Sequence, residues 1–236
     1  MNLIGLLFTS SIGRKCLMAA TGLVLFGFVT GHLVGNLQIF LPPEKINAYG
    51  HLLESLGAGL WAIRLFLLAC VAIHIWLAIQ LTLENRAARP EAYGSEKTNR
   101  ATLASRVMAR TGLVVLVFLV YHLWHFTIRG GNPEWSEHTY RLADGTMVRD
   151  VHAMMLQGFS HVGVSLFYIF AVGLLSYHPA HGIGSMFQSL GLKTETWTRG
   201  LERFAVVYCW GYFLLNALIP LSVLGWVPVL SGFIHR

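Results

Sequence analysis

Five long apolar runs take up most of this chain of 236 residues and restrict the folds open to it. Each run approaches or exceeds the roughly 20 apolar residues that a helix needs to cross a bilayer. We place them at residues 16–40, 60–83, 107–128, 155–177 and 204–227, with charges confined almost entirely to their ends and to the segments between them. The sequence therefore predicts an all-α integral membrane protein, a five-helix bundle forming a single transmembrane domain over residues 1–236.

Composition supports a membrane setting. Only 12% of the residues are charged, whereas soluble domains carry about a quarter. The net charge of +6 comes from residues between the apolar runs, so it indicates contact with membrane lipid and not with nucleic acid. The three cysteines form neither a C-x-x-C nor a C-x-x-C-H motif, so no zinc site and no covalently attached haem is indicated.

The distribution of Lys and Arg predicts an orientation. If the N-terminus lies inside, the inner segments carry eleven of the 17 Lys and Arg residues and the outer segments carry five. Arg64 is the remaining one, near the outer end of the second span. Because positive charges are enriched on the inner side of membrane proteins, we expect an inside N-terminus and an outside C-terminus.

Four of the apolar runs contain or end at a histidine, namely His32, His74, His122 and His178. An ionisable side chain at membrane depth is costly and usually functional. In the predicted orientation His32 and His122 fall in the outer half of the membrane, and His74 and His178 fall in the inner half. The four histidines thus form two layers, and each layer draws its two members from different helices.

Two neutral imidazoles from facing helices are what a six-coordinate haem iron requires. The two layers therefore predict two stacked b haems enclosed by four helices. Gly27, Gly31 and Gly35 recur every four residues and would form a groove beside His32. The same stripe also fits a helix–helix contact without a cofactor.

Two ligand choices stay open on spacing alone. His125 follows His122 by three residues, and His181 follows His178 by three, so each pair shares a helix face. A haem-free transporter or channel whose histidines relay protons is an alternative from a different class.

Several segments resemble the di-haem cytochrome b membrane subunit of succinate:quinone oxidoreductases, the group that includes succinate dehydrogenases and fumarate reductases. The resemblance covers nearly the whole chain. It rests on SSIGRKCLMAATGL, GHLVGNLQIF, NAYGHLLESL, RLFLLACVAIHIWLA with the following NRAARP, SRVMARTGLVVLVFLVYHLWHFT and YHPAHGIGSMFQSLGL.

The resemblance implies axial pairing of the first helix with the third and of the second with the fourth. Carried over, His32 pairs with His122 at an outer haem, and His74 pairs with His178 at an inner haem. The YHLW pattern favours His122 over His125. The Gly at 182 and the Gly-Leu at 191–192 favour His178 over His181, although a proline directly after the ligand is unexpected.

The resemblance also implies the role of the chain. It would be the membrane anchor that carries electrons between an iron–sulfur subunit and a membrane quinone, with menaquinone favoured. FAD and the iron–sulfur clusters would belong to the partner subunits, a flavoprotein and an iron–sulfur protein, on the inner face of a bacterial or archaeal cytoplasmic membrane. The membrane subunit of another quinone-linked oxidoreductase is an alternative.

Relatives of this type use a carboxylate near the outer start of the second helix in quinone chemistry. Glu54 stands in that region and is the candidate for quinone proton exchange. It also fits an ordinary solvated loop position. Candidate partners of haem propionates are Arg64 on the outer side and, on the inner side, Arg14, Lys15, Ser105 and Arg106.

Overall fold

The structure, a computed structural model, describes residues 3–87 and 103–234 and is 84% helical. Its helices are α1 (Leu3–Thr9), α2 (Ser11–Asn36), α3 (Pro43–Ser55), α4 (Ala58–Ala87), α5 (Leu103–His122), α6 (Val151–Phe159), α7 (Val162–Ser189), α8 (Glu195–Val223) and α9 (Pro228–Ile234). Between them lie 3₁₀ turns at Leu37–Phe40 and Pro133–Ser136, a π-helical segment at Leu123–Ile128, and strands β1 (Thr139–Arg141) and β2 (Met147–Arg149).

Five helical segments are long and apolar enough to cross a membrane: Ser11–Phe40, Ala58–Asn85, Arg110–Ile128, Val162–Ser189 and Glu195–Val223. Only 11% to 28% of the most apolar window of each is buried within the chain. A helix in a soluble protein turns its apolar face to a core, so these faces are suited to lipid. The prediction of a multi-pass membrane protein built from five helices is confirmed.

The fourth span differs from its predicted bounds of 155–177. The apolar run there is divided into α6 and α7, and the chain turns between them at Ser160 and His161. The Ser165 hydroxyl donates to the Phe159 carbonyl at 2.7 Å, which satisfies a carbonyl at the end of α6. At its other end, α7 continues through Pro179 to Ser189.

The fifth span was predicted at 204–227, whereas α8 begins at Glu195 and ends at Val223. Its first two turns are polar, so hydropathy does not report them, but they are helical. After Val223 the backbone of Gly225 takes a φ of +74°, and the Trp226 N–H donates to the Leu221 carbonyl at 2.9 Å. This arrangement ends a helix in many proteins, and it places the boundary before residue 227.

The segment between the third and fourth spans contains the only strands in the described ranges. Strands β1 and β2 pair antiparallel, with Thr139 opposite Arg149. Gly145 has a φ of +88°, which suits the turn between them. The Thr146 backbone N–H donates to the Asp144 carboxylate at 2.9 Å and holds the pKa of that carboxyl below its usual value.

Helix α3 is fastened to this segment by polar contacts. Asn47 is fully buried; its Nδ2 donates to Asp150 Oδ1 at 3.2 Å, and its Oδ1 accepts from the His152 N–H at 3.0 Å. Asp150 also caps the start of α6 by accepting from the Ala153 N–H. The Glu44 side chain accepts from the Ala143 N–H at 3.1 Å.

Contacts within the chain group its residues into two units. The first unit comprises Met1–Phe28, Ile63–Gly112 and Tyr177–Cys209, and it contains His74, His178 and His181. The second unit comprises Val29–Ala62, Leu113–Ser176 and Trp210–Arg236, and it contains His32, His122 and His125.

Candidate functional site

In the second unit, His32 and His122 face each other. Their ring centres are 5.8 Å apart and the ring planes meet at 82°. Two imidazoles that bind opposite sides of one metal ion, at about 2 Å from each nitrogen, have ring centres about 6 Å apart. The separation of the two rings is therefore close to that of two imidazoles bound to one metal ion.

His125 lies in a different environment from His122. Its side chain is only 4% exposed, its ring stacks on Tyr121 at 5.4 Å, and its Nδ1 lies 2.9 Å from the Tyr168 hydroxyl. The helix changes from α to π winding directly after His122, at Leu123–Ile128. Because a π turn advances by fewer degrees per residue, the two histidines do not keep the relative positions of an α-helix.

In the first unit, His74 is held by Thr21. The Thr21 Oγ1 lies 3.1 Å from His74 Nδ1, and it also lies 2.9 Å from the Leu17 carbonyl and 3.1 Å from the Met18 carbonyl. If the hydroxyl proton is donated to one of these carbonyls, which can only accept, the hydroxyl oxygen accepts from the histidine. The contact with His74 is then a bond donated by Nδ1–H, and Nε2 carries the lone pair that an iron would bind.

His178 lies in the same unit as His74 and His181. Its Nδ1 is buried and has no hydrogen-bond partner among the described residues. Buried polar atoms are normally paired, so a bound group or an ordered water is expected at this ring. A Cβ added to Gly112 would stand 3.6 Å from His178 Cε1, and one added to Gly22 would stand 3.5 Å from His74 Cε1. Each ring is thus approached closely by a glycine backbone.

The glycines that follow His178 have separate structural explanations. Gly191 has a φ of +71°, and the Leu192 N–H donates to the Phe187 carbonyl at 2.9 Å. This is the hydrogen bond that ends a helix in a Schellman motif. Gly182, by contrast, is open, since a Cβ there would meet no atom within 4 Å. The Gly-Leu pattern therefore reports the end of α7 and does not by itself distinguish His178 from His181.

The three glycines of the predicted groove behave differently from one another. A Cβ at Gly27 or at Gly31 would meet no atom within 4 Å, whereas one at Gly35 would stand 2.8 Å from the Tyr49 ring. Gly35 therefore packs against α3, and the first two leave space beside the helix. No group of three or more His, Cys, Asp or Glu side chains that could hold a metal ion occurs within residues 3–87 and 103–234. A haem iron would take only two side-chain ligands, and His32 and His122 would be the candidates in this unit.

Glu54 is engaged in an ion pair. Its Oε1 lies 2.7 Å from Arg149 Nη1, and the two side chains are 40% and 33% exposed. The carboxylate therefore joins α3 to β2. A separate polar cavity of about 250 Å³ lies in the same unit and is lined by His125, Asn132, Glu134, Trp135, Gln157, Gly158, Ser160 and His161.

The residues predicted to contact haem propionates differ in their surroundings. Lys15 is exposed. Arg14 Nη2 pairs with Glu84 Oε1 at 2.6 Å, so its guanidinium already has an acidic partner. Arg64 makes interactions within the chain. The side chains of Ser105 and Arg106 lie outside the described part of the structure.

Sequence reasoning did not single out Thr21, Gly22, Gly112 or Tyr168. The hydroxyl residues contact histidines 53 and 46 positions away along the chain. A single sequence does not report such distant contacts. The sequence offers one weaker indication of these contacts. Each hydroxyl residue lies inside an apolar run, where its polar atom needs a hydrogen-bond partner.

Comparisons with protein-family models, with curated proteins and with solved structures found no match to this chain.

Proposed function

We propose that this chain is the membrane-anchor and electron-transfer subunit of a succinate:quinone oxidoreductase, a succinate dehydrogenase or fumarate reductase, holding two b haems. The observation that carries the proposal is the pair His32 and His122, with ring centres 5.8 Å apart. Both lie in helical segments that are long and apolar enough to cross a membrane, and such a setting favours a haem iron over a solvated metal ion.

The residues would divide the work between two sites. His32 and His122 would hold one haem, and His74 and His178 would hold the other, with His125 and His181 as the alternates. Bound haem would supply reversible one-electron transfer. The chain's own contribution is to present neutral imidazoles, to fix the tautomer of His74 through Thr21, and to exclude water with apolar spans.

Partners follow from the resemblance described above. Electrons would pass between an iron–sulfur subunit, itself fed by a FAD-containing flavoprotein, and a membrane quinone, with menaquinone favoured. The chain would lie in the cytoplasmic membrane of a bacterium or archaeon with its N-terminus inside. Glu54 would exchange protons with the quinone, and its ion pair with Arg149 would have to open or shift for this to happen.

A second candidate is a haem-free proton relay. The Tyr168 hydroxyl lies 2.9 Å from His125 Nδ1 and 3.4 Å from His122 Nδ1, and such a chain of imidazole, hydroxyl and imidazole could pass protons. This arrangement alone does not require a cofactor. A purified relay of this kind would be colourless.

The deciding experiment is a reduced-minus-oxidised spectrum of the detergent-purified complex, with pyridine haemochrome quantitation against protein. We expect two b haems per chain. Replacing His32 or His122 by Ala should remove one haem, and so should replacing His74 or His178. His138→Ala is a matched control, since His138 lies in the loop before β1.

Each other result has a defined meaning. No haem in a well-folded sample would overturn the proposal and leave the proton relay. One haem in the unsubstituted protein would show that one of the two ligand pairs is wrong. Two haems with co-purifying subunits other than a flavoprotein and an iron–sulfur protein would assign the chain to another quinone-linked oxidoreductase.

A further inference from the structure

The Tyr168 hydroxyl lies between two histidines of the third span. It is 2.9 Å from His125 Nδ1 and 3.4 Å from His122 Nδ1, and the tyrosine side chain is only 5% exposed. All three residues belong to the second unit. A buried hydroxyl needs hydrogen-bond partners, and here both candidates are imidazole nitrogens.

The position of this hydroxyl is fixed by aromatic packing. The Tyr168 ring meets Phe159 edge-on at 5.0 Å and 89°, and it meets Phe118 at 5.2 Å and 85°. Edge-to-face contacts of this kind are favourable and directional. Aromatic residues on α5 and α6 therefore fix the position of the hydroxyl, in addition to its contacts with the two histidines.

The protonation of His122 sets the direction of one of these hydrogen bonds. If His122 binds iron through Nε2, its Nδ1 keeps a proton and donates to the Tyr168 oxygen. A tyrosine hydroxyl has one proton, and donating it to His125 Nδ1 would continue the chain and leave the proton of His125 on Nε2.

We propose that Tyr168 is a positioning residue for His122, accepting the hydrogen bond from its Nδ1 and donating in turn to His125. The proposal rests on the proposed function, because it assumes that His122 is an iron ligand. The separation of 3.4 Å is long for an N–H···O bond and should shorten if the His122 ring moves by a few tenths of an ångström on binding.

The expected effect is on the iron through its ligand. A hydrogen-bond acceptor at Nδ1 makes a ligating imidazole more basic and fixes its plane. A more basic ligand favours the ferric state and lowers the reduction potential of the haem. Onward donation to His125 strengthens this effect, because hydrogen bonds in a chain polarise one another.

The test compares Tyr168→Phe with Tyr121→Phe in the purified complex. Each change removes one hydroxyl from the same aromatic cluster, in which the two tyrosine rings have centres 5.9 Å apart. The hydroxyl that lies 2.9 Å from His125 Nδ1 and 3.4 Å from His122 Nδ1 belongs to Tyr168. Redox titration followed by optical spectroscopy gives the midpoint potential of each haem. We expect Tyr168→Phe to keep two haems and to raise one potential, while Tyr121→Phe leaves both unchanged.

A second variant keeps the proposal testable if Tyr168→Phe does not fold. His125→Phe removes the far end of the chain and should raise the same potential by a smaller amount. Two haems with unchanged potentials in Tyr168→Phe would overturn the inference and leave the proposed function standing, and so would an unchanged potential in His125→Phe. Absence of haem from the unsubstituted protein would instead overturn the proposed function.

Discussion

Thr21 and His74 lie within hydrogen-bonding distance, with Thr21 Oγ1 3.1 Å from His74 Nδ1. The Thr21 hydroxyl is also within bonding distance of two carbonyls of its own helix, at Leu17 and Met18. When its proton is donated to one of these carbonyls, its oxygen accepts from His74 Nδ1–H. In that arrangement one residue on α2 selects the tautomer of an imidazole on α4.

Replacing Thr21 by Val should weaken one haem site. The substitution keeps the shape of the side chain and removes the acceptor for His74 Nδ1–H. Loss of such a partner typically costs about 10–100-fold in affinity for a bound metal centre. Haem retention measured during serial dilution in detergent should show one of two haems lost early.

Thr21→Ser is the control for this change, because it keeps the hydroxyl. It should retain both haems to the same dilution as the unsubstituted protein. Equal retention by Val and Ser would mean that the hydrogen bond does not support ligation by His74.

The choice between His178 and His181 can be settled by a matched pair of substitutions. His178 carries a buried Nδ1 without a partner in the described residues, and Gly112 lies against its ring. We therefore expect His178→Phe to contain one haem per chain and His181→Phe to contain two. Haem quantitation on both proteins decides, and the opposite result would transfer the ligand role to His181.

Gly158 should not tolerate a methyl group. A Cβ there would stand 2.6 Å from Phe126 Cε1, and Phe126 is stacked on Trp135 with ring centres 5.9 Å apart, so it has little room to move. Overpacking costs about 1–3 kcal/mol, partly offset by the better helix propensity of Ala, about 1 kcal/mol. Thermal unfolding of Gly158→Ala in detergent should occur at a lower temperature.

Gly163→Ala is the comparison, since a Cβ at Gly163 would meet no atom within 4 Å. Its unfolding temperature should be unchanged or slightly higher. A similar decrease in both variants would show that the contact with Phe126 is not the cause.

Glu54→Gln separates the two roles considered for this carboxylate. The ion pair with Arg149 is partly exposed and contributes no more than about 1 kcal/mol. We therefore expect little change in unfolding temperature but a lower rate of quinone turnover, because an amide cannot exchange a proton. Arg149→Gln serves as the control: it breaks the same ion pair and keeps the carboxylate. Equal turnover in the unsubstituted protein and Glu54→Gln would leave Glu54 with only its contact to Arg149.

The five membrane-length helices could be predicted from the sequence because such helices are recognised by their length and their apolar composition. The five spans were found this way, but their ends were not. The fourth apolar run divides at Ser160, but its average hydropathy gives no sign of this break. Helix α8 begins at Glu195 with polar residues, so hydropathy does not mark its first turns as part of the helix. Helix ends depend on local hydrogen bonds, which average hydropathy does not record.

The sequence singles out the histidines for a similar reason, since an ionisable residue inside an apolar run is conspicuous. It does not indicate the hydroxyl side chains that lie beside them. Tyr168 contacts His122 across 46 positions and Thr21 contacts His74 across 53. Such contacts depend on which helix faces meet, and one sequence without its folded geometry does not specify that.

The π-helical segment Leu123–Ile128 has a consequence for how much variation the third span can accept. A π turn holds one residue more than the α turn it replaces. The segment therefore changes the angle about the helix axis between His122, which precedes it, and His125, which lies within it. Removing one residue between His122 and His125 would restore α winding there and change the position of His125 relative to His122. The geometry of these two histidines should therefore depend on the length of this segment as well as on its side chains.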